Sequence, residues 1–257
     1  MTRLVFAAYG LLTYLLFLGV FLYAAAFVAN IPGLKTMDNG PAGTLTEAIV
    51  VDLLLLGLFA VQHSVMARPA FKRWWIRFVP PVLERSTYVL FASVALALLF
   101  WQWRPVGAPL WAADGAAGTA LQIVSVTGWG MVLVSTFLIN HFELFGLRQS
   151  FAPLLGLRDV EPVFRTPGLY RAVRHPIYLG FLLAFWATPV MTAGHLLFAL
   201  MTTGYILVGI ALEEHDLVEI FGGEYQDYRQ RVGMLFPRVG AARAPRSRVG
   251  IGKAGQP

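Results

Sequence analysis

Cysteine is absent from the 257 residues, and charged residues make up only 13% of them. Without cysteine the chain forms no disulfide and no cysteine-ligated metal centre, so cysteine usage leaves the redox compartment undetermined. Soluble domains carry about 25% charged residues, so this composition excludes an ordinary soluble protein. No G-x-G-x-x-G follows a strand, and no P-loop, H-E-x-x-H or G-x-S-x-G appears. These absences argue against a Rossmann domain and the common soluble hydrolases.

Long apolar stretches dominate what is present, since 57% of the residues are hydrophobic. Stretches of this length are typical of membrane spans, and they predict an all-α integral membrane protein with five to six transmembrane helices. The fifth and sixth stretches are short and almost contiguous, which predicts a C-terminal helical hairpin and leaves open five spans plus a partial one. The candidate spans are Leu4–Ala29, Ala48–Met66, Thr87–Trp103, Thr119–Asn140, Ile177–Thr192 and His195–Leu212.

Basic residues are distributed unevenly between the two ends of these spans. If six spans alternate, 18 of the 20 lysine and arginine residues lie on one side, and only Lys35 and Arg104 lie on the other. The positive-inside rule then predicts that both termini are cytoplasmic. This topology and anionic lipid explain the net charge of +6 without a nucleic-acid partner.

Polar residues from four separate segments converge at the predicted inner ends of the spans. Ionisable groups are costly inside a bilayer, so a shared depth indicates a site at the cytoplasmic interface. The residues are Gln62 and His63, Asn140 and His141, Arg174 and His175, and Glu213 and Glu214.

Each of these residues also has a purely structural interpretation. Arg171 and Arg174 are able to snorkel to lipid phosphate, or to form a clamp with Glu213 and Glu214. The histidines are equally consistent with helix packing, and the tyrosines with interfacial anchors. Five scattered histidines without cysteine argue against a metal centre or haem, although a His63–His141 pair stays open.

The C-terminal third carries a recognisable order of motifs. PGLYRAVRHPIYLGF (Pro167–Phe181) contains R-H-P-x-Y-x-G, and EEHDLVEIFGGEYQDYRQRV (Glu213–Val232) contains E-E-x-x-L and F-G-x-E-Y-x-x-Y. This order resembles the isoprenylcysteine carboxyl methyltransferase superfamily of membrane methyltransferases. FAVQHSVMARPAFKRWW (Phe59–Trp75), ERSTYVL (Glu84–Leu90) and NHFELFGLRQ (Asn140–Gln149) resemble a narrower branch, the bacterial methanethiol S-methyltransferases and their NnrU-like relatives.

The resemblance implies that S-adenosylmethionine binds between the C-terminal helices, on the cytosolic side of the bacterial inner membrane. It implicates Tyr170, Arg174, His175, Tyr178, Glu213, Glu214, Tyr225 and Tyr228 in cofactor binding. From the chemistry of guanidinium groups, Arg171 is an alternative to Arg174 for the cofactor carboxylate. Gly233 stands where the prenylcysteine enzymes have the first proline of V-P-x-x-x-P, which argues against a prenylated substrate.

The reaction implied is the methylation of methanethiol to dimethyl sulfide. A thiol with a cysteine-like pKa of about 8.5 is only about 3% ionised at neutral pH, so a base is useful. His141 and His63 are the candidates for that base. The alternatives are methylation of a prenylcysteine or a lipid, a non-catalytic NnrU-like accessory role in denitrification, and, more distantly, a sterol-reductase-like use of NADPH.

The sequence predicts three regions. Residues 1–140 hold the N-terminal transmembrane helices, and residues 141–239 form the cofactor-binding region with the helical hairpin. Residues 240–257 are rich in glycine, alanine, proline and arginine, a composition that predicts disorder.

Overall fold

The computed structural model describes residues 1–41, 43–157 and 163–238, and the predicted disordered tail at 240–257 lies outside them. Ten α-helices are present in these ranges: α1 Thr2–Val28, α2 Leu45–Ala67, α3 Pro69–Trp75, α4 Pro81–Gln102, α5 Gly115–Ile139, α6 His141–Leu144, α7 Leu147–Leu155, α8 Pro176–Trp186, α9 Ala193–Phe221 and α10 Gly223–Arg231. A 3₁₀ turn spans Gly168–Arg171, and two short strands are β1 Pro109–Ala112 and β2 Val190–Thr192.

Five helices, α1, α2, α4, α5 and α9, are long and apolar enough to cross a membrane. The prediction of a multi-pass, all-α membrane protein is therefore confirmed, and the sheet seen in the described ranges has only two strands. The first four predicted spans match α1, α2, α4 and α5 with bounds shifted by a few residues. Local signals set several helix starts. Thr44 caps α2 by accepting the Glu47 N–H, and Pro69, Pro81 and Pro176 open α3, α4 and α8.

The fifth predicted span is only partly helical. The stretch Ile177–Thr192 was predicted as one helix, whereas α8 ends at Trp186 after 11 residues. Thr188 precedes Pro189, and a residue before proline is pushed out of the helical conformation, so the helix stops just before it. Eleven helical residues span about 16 Å, which is about half the thickness of the hydrocarbon core of a bilayer. The chain then turns at residues 187–189 and continues as strand β2, so this segment is not a full-length membrane helix.

The tip of the α8–α9 hairpin lies against the loops of the N-terminal half. Strand β2 pairs antiparallel with β1, and the Gly194 N–H donates to the Val106 carbonyl at 2.9 Å. The Thr192 hydroxyl donates to Asp38 at 2.6 Å. These contacts place residues 29–41, 103–114 and 187–192 on one face of the protein, which we call the loop face. The α2–α4 connection, helices α6, α7 and α10 and the 3₁₀ turn lie on the opposite face, which we call the site face.

The two basic residues predicted apart from the others are close to a buried carboxylate. Asp52 on α2 is fully buried, and its Oδ1 accepts the Arg104 backbone N–H at 2.9 Å. Lys35 and Arg104 are the charged neighbours of Asp52. The negative charge of Asp52 therefore offsets positive charge at the loop face.

Helices α5 and α8 pack with their backbones in direct contact. A Cβ atom at Gly128 of α5 would lie 2.5 Å from the Gly180 carbonyl oxygen and 2.7 Å from the Ala184 nitrogen. A Cβ at Gly180 of α8 would lie 2.7 Å from the Gly128 carbonyl oxygen. Small residues allow this approach, as in many membrane helix pairs. The contact fixes α8, and with it the residues at its start, against α5.

Candidate active site

The start of α8 is joined to the segment after α10 by backbone hydrogen bonds. The Arg174 N–H donates to the Gly233 carbonyl at 2.8 Å, and the His175 N–H donates to the Met234 carbonyl at 3.1 Å. Gly233 has no room for a side chain, because a Cβ there would lie 1.8 Å from the Phe236 carbonyl oxygen. These bonds bring the two family motifs together although 31 residues (182–212) separate them in the sequence.

Glu214 is the centre of a buried charge cluster on the site face. Its Oε1 accepts from Arg174 Nε at 2.7 Å and lies 3.0 Å from His175 Nε2. Its Oε2 lies 3.2 Å from Arg229 Nε. The Arg174 and Glu214 side chains are only 8% and 10% exposed. Arg174 also donates from Nη1 to the Val232 carbonyl at 2.6 Å, so this pair holds α8, α9 and α10 together.

Glu213 is the second carboxylate, and its surroundings differ. Adjacent residues on an α-helix point about 100° apart, so Glu213 faces α8 while Glu214 faces α10. One Glu213 oxygen lies 3.8 Å from His175 Nδ1, and its carboxylate is an electrostatic neighbour of the Tyr178 hydroxyl. Glu213 is 46% exposed. It is therefore the carboxylate that is accessible to a ligand, whereas Glu214 is already surrounded by three basic side chains.

Aromatic rings form a wall beside the two carboxylates. Phe164 packs against Tyr225 and Tyr228 at centroid distances of 5.8 and 5.3 Å. The Tyr228 hydroxyl donates to the Tyr170 carbonyl at 2.6 Å. The Tyr225 hydroxyl is buried and has no hydrogen-bond partner among the described residues. Burial raises the pKa of Tyr228 to about 12 and also raises the pKa of Tyr225, so both are neutral donors at physiological pH.

His63 lies in a second cluster between α2, α4 and α9. Its Nε2 is 2.8 Å from the Tyr88 hydroxyl, while its Nδ1 is buried without a partner in the described structure. Phe59 stacks on the imidazole at 5.2 Å, and Tyr205 approaches it edge-on at 6.4 Å. An ion pair of 3.1 Å between Arg68 and Asp216 holds the end of α2 against α9.

His141 lies in a third cluster, against α1 and α5. Its Nε2 is 2.9 Å from the Tyr14 hydroxyl, and its Nδ1 is 2.8 Å from the Thr136 hydroxyl. The imidazole stacks on Phe137 at 4.1 Å with an interplanar angle of 2°. Burial lowers the pKa of His141, so the ring is neutral at physiological pH. Both nitrogens are therefore engaged within the fold, as expected of a packing residue.

The structure brings together eight of the nine residues predicted to bind the cofactor, namely Tyr170, Arg174, His175, Tyr178, Glu213, Glu214, Tyr225 and Tyr228. Arg171 stands apart, because it is exposed and donates from Nε to the Thr166 carbonyl at 3.3 Å. The predicted bases His63 and His141 occupy separate clusters.

Sequence reasoning missed several members of these clusters. In the sequence, Arg229 contributed only to the count of basic residues on each side of the membrane. Its position directly after the last tyrosine of F-G-x-E-Y-x-x-Y was a usable signal. Phe164, Tyr88 and Tyr205 gave no signal, because their contacts cross between elements that are distant in the sequence.

A surface groove of about 520 Å³ opens on the far flank of α9. Glu214, His215 and Arg229 form its polar end, and Leu207, Ile210, Ala211 and Met234 form most of its apolar walls. Tyr205, Gly209 and Glu213 are four residues apart and share the other flank, which faces α8 and α2. The groove and the His63 cluster are therefore separated by α9 itself.

Fold and site together define a polytopic α-helical membrane protein with a polar, aromatic-lined cluster on one face. Residues 71–232 match a family described as a protein of unknown function, DUF1295. The chain is 57% identical over 230 residues to Methanethiol S-methyltransferase 1 of Bradyrhizobium diazoefficiens, covering 89% of this chain and 81% of that protein. It therefore belongs to the DUF1295 family and to the family of the methanethiol S-methyltransferases, which confirms the resemblance of the motifs.

Two further relatives show how far the similarity extends. Methanethiol S-methyltransferase of Mycobacterium tuberculosis is 56% identical over 238 residues, covering 92% of this chain and 98% of that protein. Nurim of Mus musculus is 34% identical over 185 residues, covering 68% of this chain and 70% of that protein. No solved structure matches the chain.

Proposed function

We propose that this protein is a membrane-embedded S-methyltransferase that uses S-adenosylmethionine to convert methanethiol to dimethyl sulfide. The observation that carries the proposal is the cluster of Glu213, Glu214 and His175 beside an aromatic wall, in a chain of this family. The relatives named as methanethiol S-methyltransferases align over most of both chains, which supports the same acceptor here.

The residues of the site fit a ligand that carries an ammonium, a carboxylate and a sulfonium. Glu213 is exposed and accepts from an ammonium or from ribose hydroxyls. The Tyr225 hydroxyl, buried without a partner in the described part of the chain, is available to donate to the ligand. The Tyr178 ring next to Glu213 offers an aromatic face to a cation, worth about 0.5–2 kcal/mol. When bound, S-adenosylmethionine supplies a methyl group on a positively charged sulfur.

The arginines at the site have two different roles: some bind the cofactor, and one supports the other side chains of the site. Arg174 is engaged by Glu214 and two carbonyl oxygens, so its part is to orient Glu214, His175 and α10. Arg171 is exposed, and Arg229 is 44% exposed although it pairs with Glu214, so we assign the cofactor carboxylate to these two arginines. Tyr170 and Tyr228 hold the 3₁₀ turn against α10 through their own hydrogen bond.

The thiol acceptor reacts best away from water. Methylation of a thiolate by a sulfonium removes both charges, so the transition state is less charged than the separated ions and a dry pocket favours it. Dimethyl sulfide is apolar and is able to leave through the bilayer. Among the described residues, all the lysine and arginine residues except Lys35 and Arg104 belong to the site face, which supports a cytoplasmic site, cytoplasmic termini and a bacterial inner-membrane location. We also propose the division into an N-terminal transmembrane region, 1–140, and a cofactor-binding region, 141–239.

A prenylated acceptor is disfavoured by the turn after α10. The backbone at Gly233 leaves no room for a Cβ, so the proline of the prenylcysteine pattern does not fit this turn. The segment that contacts Arg174 and His175 therefore follows a different path from the one that pattern requires.

The direct test is headspace detection of dimethyl sulfide from purified protein, methanethiol and S-adenosylmethionine. We expect formation of dimethyl sulfide that depends on both substrates, with equal amounts of demethylated cofactor. A prenylcysteine analogue and phospholipid vesicles serve as competing acceptors. Methylation of either in place of methanethiol would overturn the acceptor assignment. Failure to bind the cofactor in calorimetry would favour the accessory role instead.

Replacing Tyr225 by phenylalanine should weaken cofactor binding about 3- to 10-fold, because one hydrogen bond contributes about 0.5–1.5 kcal/mol. Calorimetry measures the effect. Tyr23→Phe is the matched control, since it removes a hydroxyl that donates to the Lys35 carbonyl on the loop face. Equal affinity in Tyr225→Phe and wild type would remove Tyr225 from the binding site.

A further inference from the structure

The Nδ1 atom of His63 is buried and has no hydrogen-bond partner among the described residues. The Tyr88 hydroxyl partners Nε2 at 2.8 Å. A buried polar atom without a partner costs about 1–3 kcal/mol, so such an atom in a native protein calls for a ligand or a role. A tyrosine hydroxyl both donates and accepts, so Tyr88 is able to support the neutral ring and its protonated form alike.

The surroundings of that nitrogen suit a small apolar group. Phe59 stacks on the ring at 5.2 Å, and Tyr205 lies edge-on at 6.4 Å with its hydroxyl 3.4 Å from Ser64 Oγ. Because aromatic rings surround this one free nitrogen, few polar groups are present that could bind a large polar ligand. A short alkyl thiol offers one S–H to the nitrogen and one methyl group to the rings.

The His63 cluster borders the proposed cofactor cluster. The Tyr178 hydroxyl is an electrostatic neighbour of Glu213 and lies against Gly209, where an added Cβ would be 3.7 Å from it. Tyr205, Gly209 and Glu213 share one flank of α9 because they are four residues apart. Tyr178 is also an electrostatic neighbour of Tyr88 and Tyr205. A single flank of α9 thus joins the His63 cluster to Glu213.

We propose that the His63 cluster between α2, α4 and α9 forms the acceptor site, with the thiol bound against His63 Nδ1 as its base and Tyr88 as the residue that positions the imidazole. The inference rests on the proposed S-methyltransferase function. His63 Nδ1 takes the proton of the S–H bond, and the thiolate sulfur forms a bond to the methyl carbon as the carbon–sulfonium bond breaks. The electron pair of that bond stays on the donor sulfur, and the proton passes from His63 to water after product release.

The geometry favours His63 over His141 for this role. Both nitrogens of His141 have hydroxyl partners, Tyr14 and Thr136, so neither is free for a substrate. A pH profile of the reaction reports on the whole environment of the acceptor site. Its charged and titratable groups are Arg68 directly after α2, Glu84, Arg85 and Tyr88 on α4, Tyr178 on α8, and Tyr205 and Glu213 on α9.

The test compares two acceptors in full-length His63→Gln and Tyr88→Phe. At neutral pH we expect His63→Gln to lower kcat for methanethiol at least about 100-fold, the lower end of the range for a general base. The deficit should shrink as pH rises and the thiol ionises. It should also be smaller with hydrosulfide, which is smaller and more acidic than methanethiol. Tyr88→Phe should lower kcat less than His63→Gln does, and it should reach its full rate only at a higher pH than the wild-type protein. Cofactor affinity should stay within about twofold in both variants, since neither residue contacts the Glu214 cluster.

Tyr9→Phe is the matched control, because its hydroxyl bonds Thr87, the neighbour of Tyr88 on α4, at 3.1 Å. It should leave the pH profile and the acceptor ratio unchanged. Equal losses for both acceptors at every pH, or a wild-type rate in His63→Gln, would overturn the acceptor-site assignment. If His63→Gln does not fold, the profile of Tyr88→Phe decides. If the wild-type protein methylates neither acceptor, the proposed function itself fails, and this result is distinct from the others.

Discussion

Glu214→Gln is expected to weaken S-adenosylmethionine binding about 100-fold or more, equivalent to at least about 2.7 kcal/mol. The carboxylate lies between Arg174, His175 and Arg229 with only 10% of its side chain exposed. Glutamine has the same shape but no charge. Removing one partner of a buried ion pair typically costs about 3–5 kcal/mol, because the other charges are left buried without compensation. The variant should therefore also unfold at a lower temperature.

The substitution should weaken cofactor binding for a second reason, because the charge that remains in the cluster is positive. The guanidinium groups of Arg174 and Arg229 both lie within 3.2 Å of Glu214 oxygens. Once the carboxylate is neutral, their positive charge faces a positively charged sulfonium. At a separation of about 6 Å and an effective dielectric constant of about 20, each such pair repels by about 3 kcal/mol. The change thus converts a balanced cluster into one that opposes the cofactor.

Calorimetry and thermal unfolding in the same detergent measure the two effects together. Glu47→Gln is the control, because it breaks a 3.7 Å ion pair with Arg104 on the loop face, where Glu47 is 49% exposed. A surface pair of this kind contributes about 0–1 kcal/mol, so the control should bind normally. Glu214→Gln with unchanged affinity would show that the charge cluster takes no part in cofactor binding.

The long apolar stretches were sufficient to predict four of the membrane helices, because length and hydropathy are local properties of the sequence. The C-terminal hairpin was harder. Pro189 ends α8 early, and α9 continues to Phe221, past the charged residues that were expected to follow the span. The helix stops only at Gly222, which has a φ of +55°, so Glu213 and Glu214 lie on a rigid helix. Hydropathy marks where the lipid ends, and it does not mark where a helix ends.

The candidate site was predictable where a motif carried it, and less so elsewhere. Residues in the two C-terminal motifs cluster as expected, because the backbone bonds of Arg174 and His175 to the segment after α10 fix them. His63 and His141 were indistinguishable in the sequence, since both lie at the end of a predicted span that was expected to be cytoplasmic. What separates them is the partner of each ring nitrogen, and this depends on side chains from other helices. Tertiary contacts of this kind leave no local pattern.

Gly128→Ala should strongly destabilise the packing of α5 against α8. The added Cβ would lie 2.5 Å from the Gly180 carbonyl oxygen and 2.7 Å from the Ala184 nitrogen. Both contacts are with backbone, which is unable to move aside as a flexible side chain does. Helices α5 and α8 must therefore separate. Overpacking typically costs about 1–3 kcal/mol, and we expect the upper end of that range.

Gly130→Ala is the matched control, because it lies two residues along the same helix and a Cβ there meets nothing within 4 Å. It should leave thermal unfolding nearly unchanged, within about 0.5 kcal/mol, as surface substitutions do. Gly128→Ala should unfold several degrees lower and bind the cofactor more weakly. The weaker binding follows from the position of α8, because the helix that moves away from α5 begins directly after His175. If both variants unfold alike, the close α5–α8 contact does not support the site.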